Sequence, residues 1–575
     1  MQNSNEEEVQ HMDFKLEIAK LLAKAANLDT KDIVQAIEIP PETDMGDFAF
    51  PCFRLAKQLK QAPPAIADDI KSKIDMPEFL DRVVVTGAYL NFFVNRAHYA
   101  KVVINEIAAK GDRFGSSDIG GGGCVVIDYS APNVAKPFHI GHLRSTVIGH
   151  ALYNIYNFLG YKSFSINFIG DWGTQFGKVI TGYKHWGNDE EIKADGIVAL
   201  LKLYVKFHEE AEKDPAFDEE ARNWFVKMEQ GDEYALKLWK WFFDVSMEEY
   251  QKIYSRLDIT FDSYNGESFY NDKMMPVVEE LKEKNILVKD DGAMIVDLEE
   301  YKMPPCLILR RDGGTLYHTR DIASALYRKK EYNFVKALYV TGKEQILHFA
   351  QWFKVVELMG YEWAKDQLVH VPFGLMNFAQ GKLSTRKGNV ILMEKFLDDA
   401  VSKIREVIEQ KNPDLANKEQ VAEQVGIGAI IFNDLYNNRI RDIEFSWERM
   451  LNFEGETGPY VQYTHARCNS VLNKADVDYG DADASKLTND DEIELIKTLY
   501  TFPEKIIDAA NKYEPFIVSR HIMQVAQAYN KFYHNNNILR ADEDVKKARL
   551  LLTKCTKNVI STGLGLLGIK SPEEM

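Results

Sequence analysis

The chain lacks long apolar runs. No uninterrupted hydrophobic stretch approaches the ~18–20 residues of a membrane-crossing helix, so no spanning segment is expected. Cysteine is scarce: Cys52, Cys124, Cys306, Cys468 and Cys555 lie far apart, with no Cys-x-x-Cys pair. That excludes a disulfide framework and a cysteine-based structural zinc. It predicts a reducing, cytoplasmic setting and no bound metal. The opening, Met1 to Gln10, is acidic and polar. It has neither the apolar segment of a secretory signal nor the arginines of a transit peptide, and residues 1–12 read as a disordered lead-in. A surplus of positive charge is missing too: 70 Lys and Arg face 87 Asp and Glu, a net −17. Taken as a total, this argues against a polyanionic partner. Charge acts locally, however, and residues 512–560 hold nine cations against four acids, with aromatics interleaved. Repeats with a period of 20–50 residues are also absent, which excludes a solenoid.

What is present is a change of pattern along the chain. Residues 13–120 read as a separate α+β domain, with helices at Phe14–Ala26 and Pro64–Ile74 and a hairpin at Arg82–Val85 and Tyr89–Val94. The glycines Gly120–Gly123 read as a linker. From 124 to about 395, apolar strands alternate with helices: Cys124–Asp128, helix His139–Leu159, then Ser163–Ile169 and the turn Gly170–Gly173. Charge-rich amphipathic helices interrupt this at about 178–300, as an insertion. Alternation resumes with Cys306–Leu309, Thr319–Arg328, Lys336–Thr341, Gln345–Met359 and Leu368–Phe373. Residues 396–450 then read as a helical connector and 451–575 as a helical domain. The expected fold class is α/β: a doubly wound, Rossmann-like parallel-sheet domain with a helical insertion, flanked by an N-terminal α+β domain and a C-terminal α-helical bundle.

In an open parallel sheet, ligands bind beyond the carboxyl ends of the strands, where the winding reverses. Two segments are expected there. His139-Ile140-Gly141-His142 follows the first strand at a helix start, whose free N–H groups and dipole suit a polyphosphate. Lys136 and Arg144 are expected to add charge at the same place. Lys382-Leu-Ser-Thr-Arg386-Lys387 follows the last strand, and its bases and flanking glycines suit a lid over pyrophosphate. The bland reading of the first segment is a pair of helix-capping histidines; the second, read alone, is a surface loop. Together they suit adenylyl transfer from ATP.

These two strings resemble the HIGH and KMSKS signatures of class I aminoacyl-tRNA synthetases. The longer strings Ser130–Thr146, Asn167–Gly177, Leu316–Ala323, Leu383–Val390, Gly455–Tyr463 and Leu567–Met575 resemble the arginyl-tRNA synthetase family in particular. The resemblance implies an arginine–tRNA ligase that uses ATP with Mg2+ and has no tightly bound cofactor. It implies His139, His142, Lys136, Lys382, Arg386 and Lys387 as catalytic groups, and Gly141, His139, His142 and Lys382 at ATP. Arginine is assigned to Ser130, Asn133, Glu267, Tyr317, Asp321 and Gln345. A guanidinium with five fixed donors needs acidic, planar partners, and a neutral amino acid would leave those acids unpaired. Discrimination of that kind needs no editing domain.

The family's C-terminal helical domain binds the anticodon and its N-terminal domain the tRNA elbow, so tRNA(Arg) is the implied partner. Candidates of the right type are Tyr460, Tyr463, Tyr529, Phe532, Tyr533, Asn535, Asn536 and Arg540. A monomer is expected. One position departs from the pattern: Thr385 stands where the second KMSKS lysine would be. Lys136, assisted by Arg386 or Lys387, is expected to supply that charge. The competing readings are a smaller nucleotidylyltransferase, which has no use for the terminal domains, and a non-catalytic RNA-binding relative, which has no need of the site residues.

Overall fold

The computed structural model describes residues 12–40, 45–377 and 391–575. Phe14–Ala26 is helical as expected. Asp13 caps its start by accepting from the Leu16 N–H, Asn27 ends it in the left-handed region, and Phe14, Ile18 and Leu22 bury one face. The hairpin extends over β2 (Leu80–Thr86) and β3 (Tyr89–Val94), and β1 (Phe48–Pro51) pairs antiparallel with β3, giving the order β1-β3-β2. The two-residue turn falls on Gly87, whose φ of 61° suits glycine.

Gly120–Gly123 differs from the flexible linker expected of it. Gly120 donates to the Leu159 carbonyl and Gly122 to the Gly160 carbonyl, and a Cβ on Gly120 would lie 2.4 Å from the Tyr161 nitrogen. Gly120 is needed for close approach, while Gly121 and Gly122 adopt the left-handed region with φ of 50° and 72°.

The central sheet contains β4 (Cys124–Asp128), β5 (Lys162–Ile166), β9 (Lys336–Gly342) and β10 (Leu368–Phe373). All are parallel, in the order β10-β9-β4-β5. The two halves meet at β4–β9, the switch point at whose carboxyl edge an open parallel sheet places its ligand crevice. Cys306–Leu309, expected in this sheet, is not part of it. As β8 it pairs antiparallel with β7 (Ala293–Val296), which pairs with β6 (Val288–Asp290), in a separate three-stranded sheet. A four-residue apolar run specifies a strand but not its partner.

The insertion is helical over Thr174–Trp186, Ile197–Ala211, Ala216–Glu229 and Glu233–Arg256, around an aromatic-rich core containing Phe176, Tyr204 and Phe242. After residue 391 the chain is predominantly helical. A short pairing of Met376–Asn377 with Ile443–Glu444 ties the exit of β10 to the C-terminal half. Among the described residues, no helix is long and apolar enough to cross a membrane.

Candidate active site

The loop after β4 reaches the crevice edge and pairs there with the turn after β5. Val134 donates to the Gly170 carbonyl and Gly170 to that of Pro132. Asn133 lies over Gly170, where a Cβ would meet its Oδ1 at 2.4 Å. The helix opens with a 3₁₀ turn, Ile140–His142, and continues as Leu143–Phe158. His139 Nδ1 accepts the Gly141 N–H at 3.0 Å, and His142 Nδ1 accepts the His139 N–H at 3.2 Å. The rings stack with centroids 4.0 Å apart. Gly141 is required because a Cβ would lie 2.7 Å from the His139 ring.

Both histidines are therefore caps at Nδ1, which leaves the single proton of each neutral ring on Nε2, free to donate. Burial pushes the His139 pKa down to about 4, with Lys136 adding to the shift, and burial and His139 hold His142 well below the usual range. The pair is a set of neutral donors, not extra positive charge. Lys136 is the neighbouring cation, and its Nζ also lies 5.3 Å from the centre of the Tyr204 ring.

Arg144 does not add charge at the phosphate end. It is 2% exposed, and its Nε pairs with Asp434 at 3.0 Å. Its Nη1 donates to the carbonyls of Gly374 and Arg441 at 2.7 and 2.8 Å. Asp442 accepts from the Leu375 N–H and from Lys343. These contacts latch the exit of β10 to the helix start and to the C-terminal half. On the other side of the lid sequence, Ile140 donates to the Ile391 carbonyl and Met393 to that of Phe138. Lys382, Arg386 and Lys387 lie outside the described residues, but the segments on both sides of them meet the histidine turn.

A second wall is acidic. Asp171 accepts from Ser268 through both its N–H (2.8 Å) and hydroxyl (2.6 Å), which places Glu267 beside the Gly170 turn. Glu267 faces Arg320 at 3.4 Å, and Asp321 meets His348 Nε2 at 2.6 Å. Burial pushes the Glu267 pKa up to about 7, opposed by Arg320 and reinforced by the neighbouring charges of Asp171 and Asp321. Tyr317 and Asp321 share the helix Tyr317–Tyr332, which Arg328 anchors through an ion pair to Asp128 at the end of β4. Tyr317 is 67% exposed, and Gln345 opens the next crossover as another exposed residue.

The Ser130 hydroxyl is buried among Tyr254 and Thr146. Asp171, Arg320 and His348 escaped the sequence reading. Asp171 and Arg320 lie inside the strings quoted for the family resemblance, so a signal was there, whereas His348 carried none. No group of three or more potential metal ligands occurs among the described residues.

In the C-terminal half, a cavity of about 1080 Å³ is lined by Tyr463, Arg467, Tyr533, Asn536 and Arg540, with the chain end Met575 at its side. The Arg467 guanidinium lies over two rings, 5.0 Å from the centre of Tyr463 and 5.1 Å from that of Tyr533. Tyr460 lines an adjoining hollow and bonds Asn530. Asn535 and Asn536 both donate to Asp491. Tyr529 and Phe532 are fully buried core residues and not stacking surfaces.

The basic window is largely neutralised. Lys512, Lys531, Lys546, Lys547, Arg549 and Lys557 pair with Asp508, Glu494, Asp476, Asp481, Glu492 and Glu573. All six acids lie outside the window, so a count along the sequence cannot register them.

A four-stranded parallel sheet, stacked histidines at its first crossover and a helical C-terminal body together define a class I aminoacyl-tRNA synthetase. The family model described as "tRNA synthetases class I (R), catalytic domain" matches residues 104–447, the DALR anticodon binding domain 461–575, and the arginyl tRNA synthetase N terminal domain 7–94. The chain belongs to the arginyl-tRNA synthetase family. It is 57% identical to an arginine–tRNA ligase of Alkaliphilus metalliredigens and 53% to one of Halothermothrix orenii; each match covers 98% of this chain and all of the relative. The arginyl-tRNA synthetase structure of Thermus thermophilus superposes with a TM-score of 0.81 at 25% identity, covering 98% of this chain and all of that one.

Proposed function

We propose that the chain is an arginine–tRNA ligase working at the crevice described. L-Arginine and ATP form arginyl-adenylate with release of pyrophosphate. The arginyl group then passes to the 3′-terminal ribose of tRNA(Arg) with release of AMP. The observation that carries this reading is that the Gly170 turn, which pairs with the loop leading to the histidines at Pro132 and Val134, also holds the acidic residues, through Asp171 bonding Ser268 beside Glu267.

Glu267 and Asp321 pair with the substrate guanidinium beside Tyr317, while Asn133, Gln345 and the Ser130 loop hold its α-amino end. His139 and His142 direct Nε2–H donors at the α-phosphate, with Gly141 allowing the nucleotide to approach. Lys136, Lys382, Arg386 and Lys387 neutralise the departing pyrophosphate. Fixed donors aimed at developing charge lower the barrier without reorganisation, and no protein nucleophile is needed. Mg2+ enters with ATP as the substrate complex, and no tightly bound cofactor is required.

The N-terminal domain contacts the tRNA elbow, and Tyr460, Tyr463, Tyr533, Asn536 and Arg540 receive the anticodon loop. The enzyme acts as a monomer in the cytoplasm. Charging assays with total tRNA and each amino acid in turn test the reading. Arginine alone is expected in the product, and a stable product with any other amino acid overturns it.

A further inference from the structure

The 130–136 loop is held in a demanding backbone conformation. Ser130, Ala131 and Ala135 have φ of 72°, 47° and 60°, although none is glycine. Such residues persist only where the surroundings over-determine them. Ser145, Asn167 and Gly170 hold this loop's backbone from the sheet side, and its other side lies against one face of the inserted helix Glu233–Arg256. Its first half buries Ala235, Leu238 and Phe242 in the insertion core. Its second half continues the same face with Ser246, Tyr250 and Tyr254, spaced four apart, all fully buried and all bearing hydroxyls.

Every one of those hydroxyls meets the loop. Ser246 Oγ accepts the Ala135 N–H at 2.9 Å while donating to the Phe242 carbonyl. Tyr250 Oη lies 2.7 Å from the carbonyls of both Asn133 and Lys136. Tyr254 Oη accepts from Asn167 Nδ2 and lies 2.8 Å from Ser130 Oγ. The Thr146 hydroxyl touches both Ser130 Oγ and the His142 carbonyl, so this chain of contacts runs on into the histidine turn. Far along the helix, Arg256 grips Glu423 and Asp398, which fixes the helix against the C-terminal half.

We propose that Tyr250 and Tyr254, assisted by Ser246, are positioning residues whose hydroxyls hold the 130–136 backbone in the conformation that presents Asn133 and Lys136 to the reacting groups. The inserted helix Glu233–Arg256 thus supplies part of the active-site geometry without touching substrate. Tyr250 is the centre of the clamp, because both carbonyls that converge on its hydroxyl belong to residues with site roles. Both rings also pack edge-on against Phe138, at 5.9 and 5.5 Å between centroids. Phenylalanine therefore keeps the packing and removes only the hydroxyl.

The activity arm of the test rests on the ligase reading above; the exchange arm does not. Tyr250→Phe, Tyr254→Phe and Ser246→Ala are made in the full chain. Each is measured for hydrogen–deuterium exchange over residues 129–137, for steady-state arginylation, and for tRNA affinity. Faster exchange confined to this segment is expected. With it, kcat falls about 10- to 100-fold for Tyr250→Phe, as expected for an ångström-scale misplacement, while tRNA affinity stays within about twofold. Unchanged exchange in all three variants overturns the clamp. Faster exchange with kcat within about twofold of wild type overturns the positioning role. A parallel loss of tRNA affinity also overturns it, since general destabilisation then explains the defect. If the wild type charges no tRNA with arginine, the ligase reading falls, and exchange alone still decides the clamp.

Discussion

The two sites proposed for arginine and for tRNA are built in opposite ways. The acidic wall proposed for arginine is largely buried: Asp171 is 4% exposed, and Glu267 and Asp321 each have a partner inside the protein. The C-terminal cavity is open, with Tyr463 at 40% and Tyr533 at 37% exposed, both in contact with Arg467. A small cation must be told from its competitors by buried acids that are costly to leave unpaired. A flexible polyanion can be met by stacking rings at a wet rim, with each contact contributing modestly. Mutations should therefore act steeply at the first site and gently at the second.

The largest effect is expected at Glu267. Glu267→Gln should lower kcat/KM for arginine by about 10²- to 10³-fold, the scale of leaving one partner of a buried pair unmatched, with the KM for ATP little changed. An equal rise in both KM values would mean that the acidic wall is not selective. Next is Lys136→Ala, which should slow adenylate formation in single-turnover assays by about 30- to 100-fold if Lys136 replaces the charge missing at Thr385. A rate within about twofold of wild type removes Lys136 from that role.

Tyr463→Ala should raise the KM for tRNA by about 10- to 30-fold, the loss of one stacked base, with the arginine KM unchanged. A larger effect on arginine than on tRNA would undo the contrast between the two ends. The smallest effect is with pH. Glu267 must be ionised to pair with the guanidinium, and its pKa is about 7. The kcat/KM for arginine should therefore rise about tenfold from pH 6 to pH 8, and Glu267→Gln should flatten the profile. The sign is opposite for stability. Between the ordinary value of 4.5 and about 7, the native state keeps a proton that the unfolded chain has released, so the empty protein loses stability as pH rises. A flat wild-type profile between pH 6 and pH 8 would separate Glu267 from arginine binding.

Local pattern was legible where periodicity and capping agreed. Phe14–Ala26 and Leu368–Phe373 have the expected bounds, and the strand-turn-helix around His139 was readable because Pro, Gly and apolar alternation each punctuate it. Partners were not legible. Nothing in Cys306–Leu309 says that it joins a side sheet, nothing in Arg144 says that Asp434 waits 290 residues on, and the cations of 512–560 conceal acids from elsewhere. The hydroxyl stripe of Ser246, Tyr250 and Tyr254 reads as ordinary helix until the loop is laid against it.

The sequence by itself determined the order of the elements, the family and the chemical types gathered at the crevice, because residue type and short-range spacing are properties of the chain. Tertiary structure alone decided the charge state of the histidines, the burial of Arg144 and the pairing of the basic window. Those depend on desolvation and on which opposite charge or hydrogen-bond partner arrives from a distant segment, and both come into being only when the chain closes on itself.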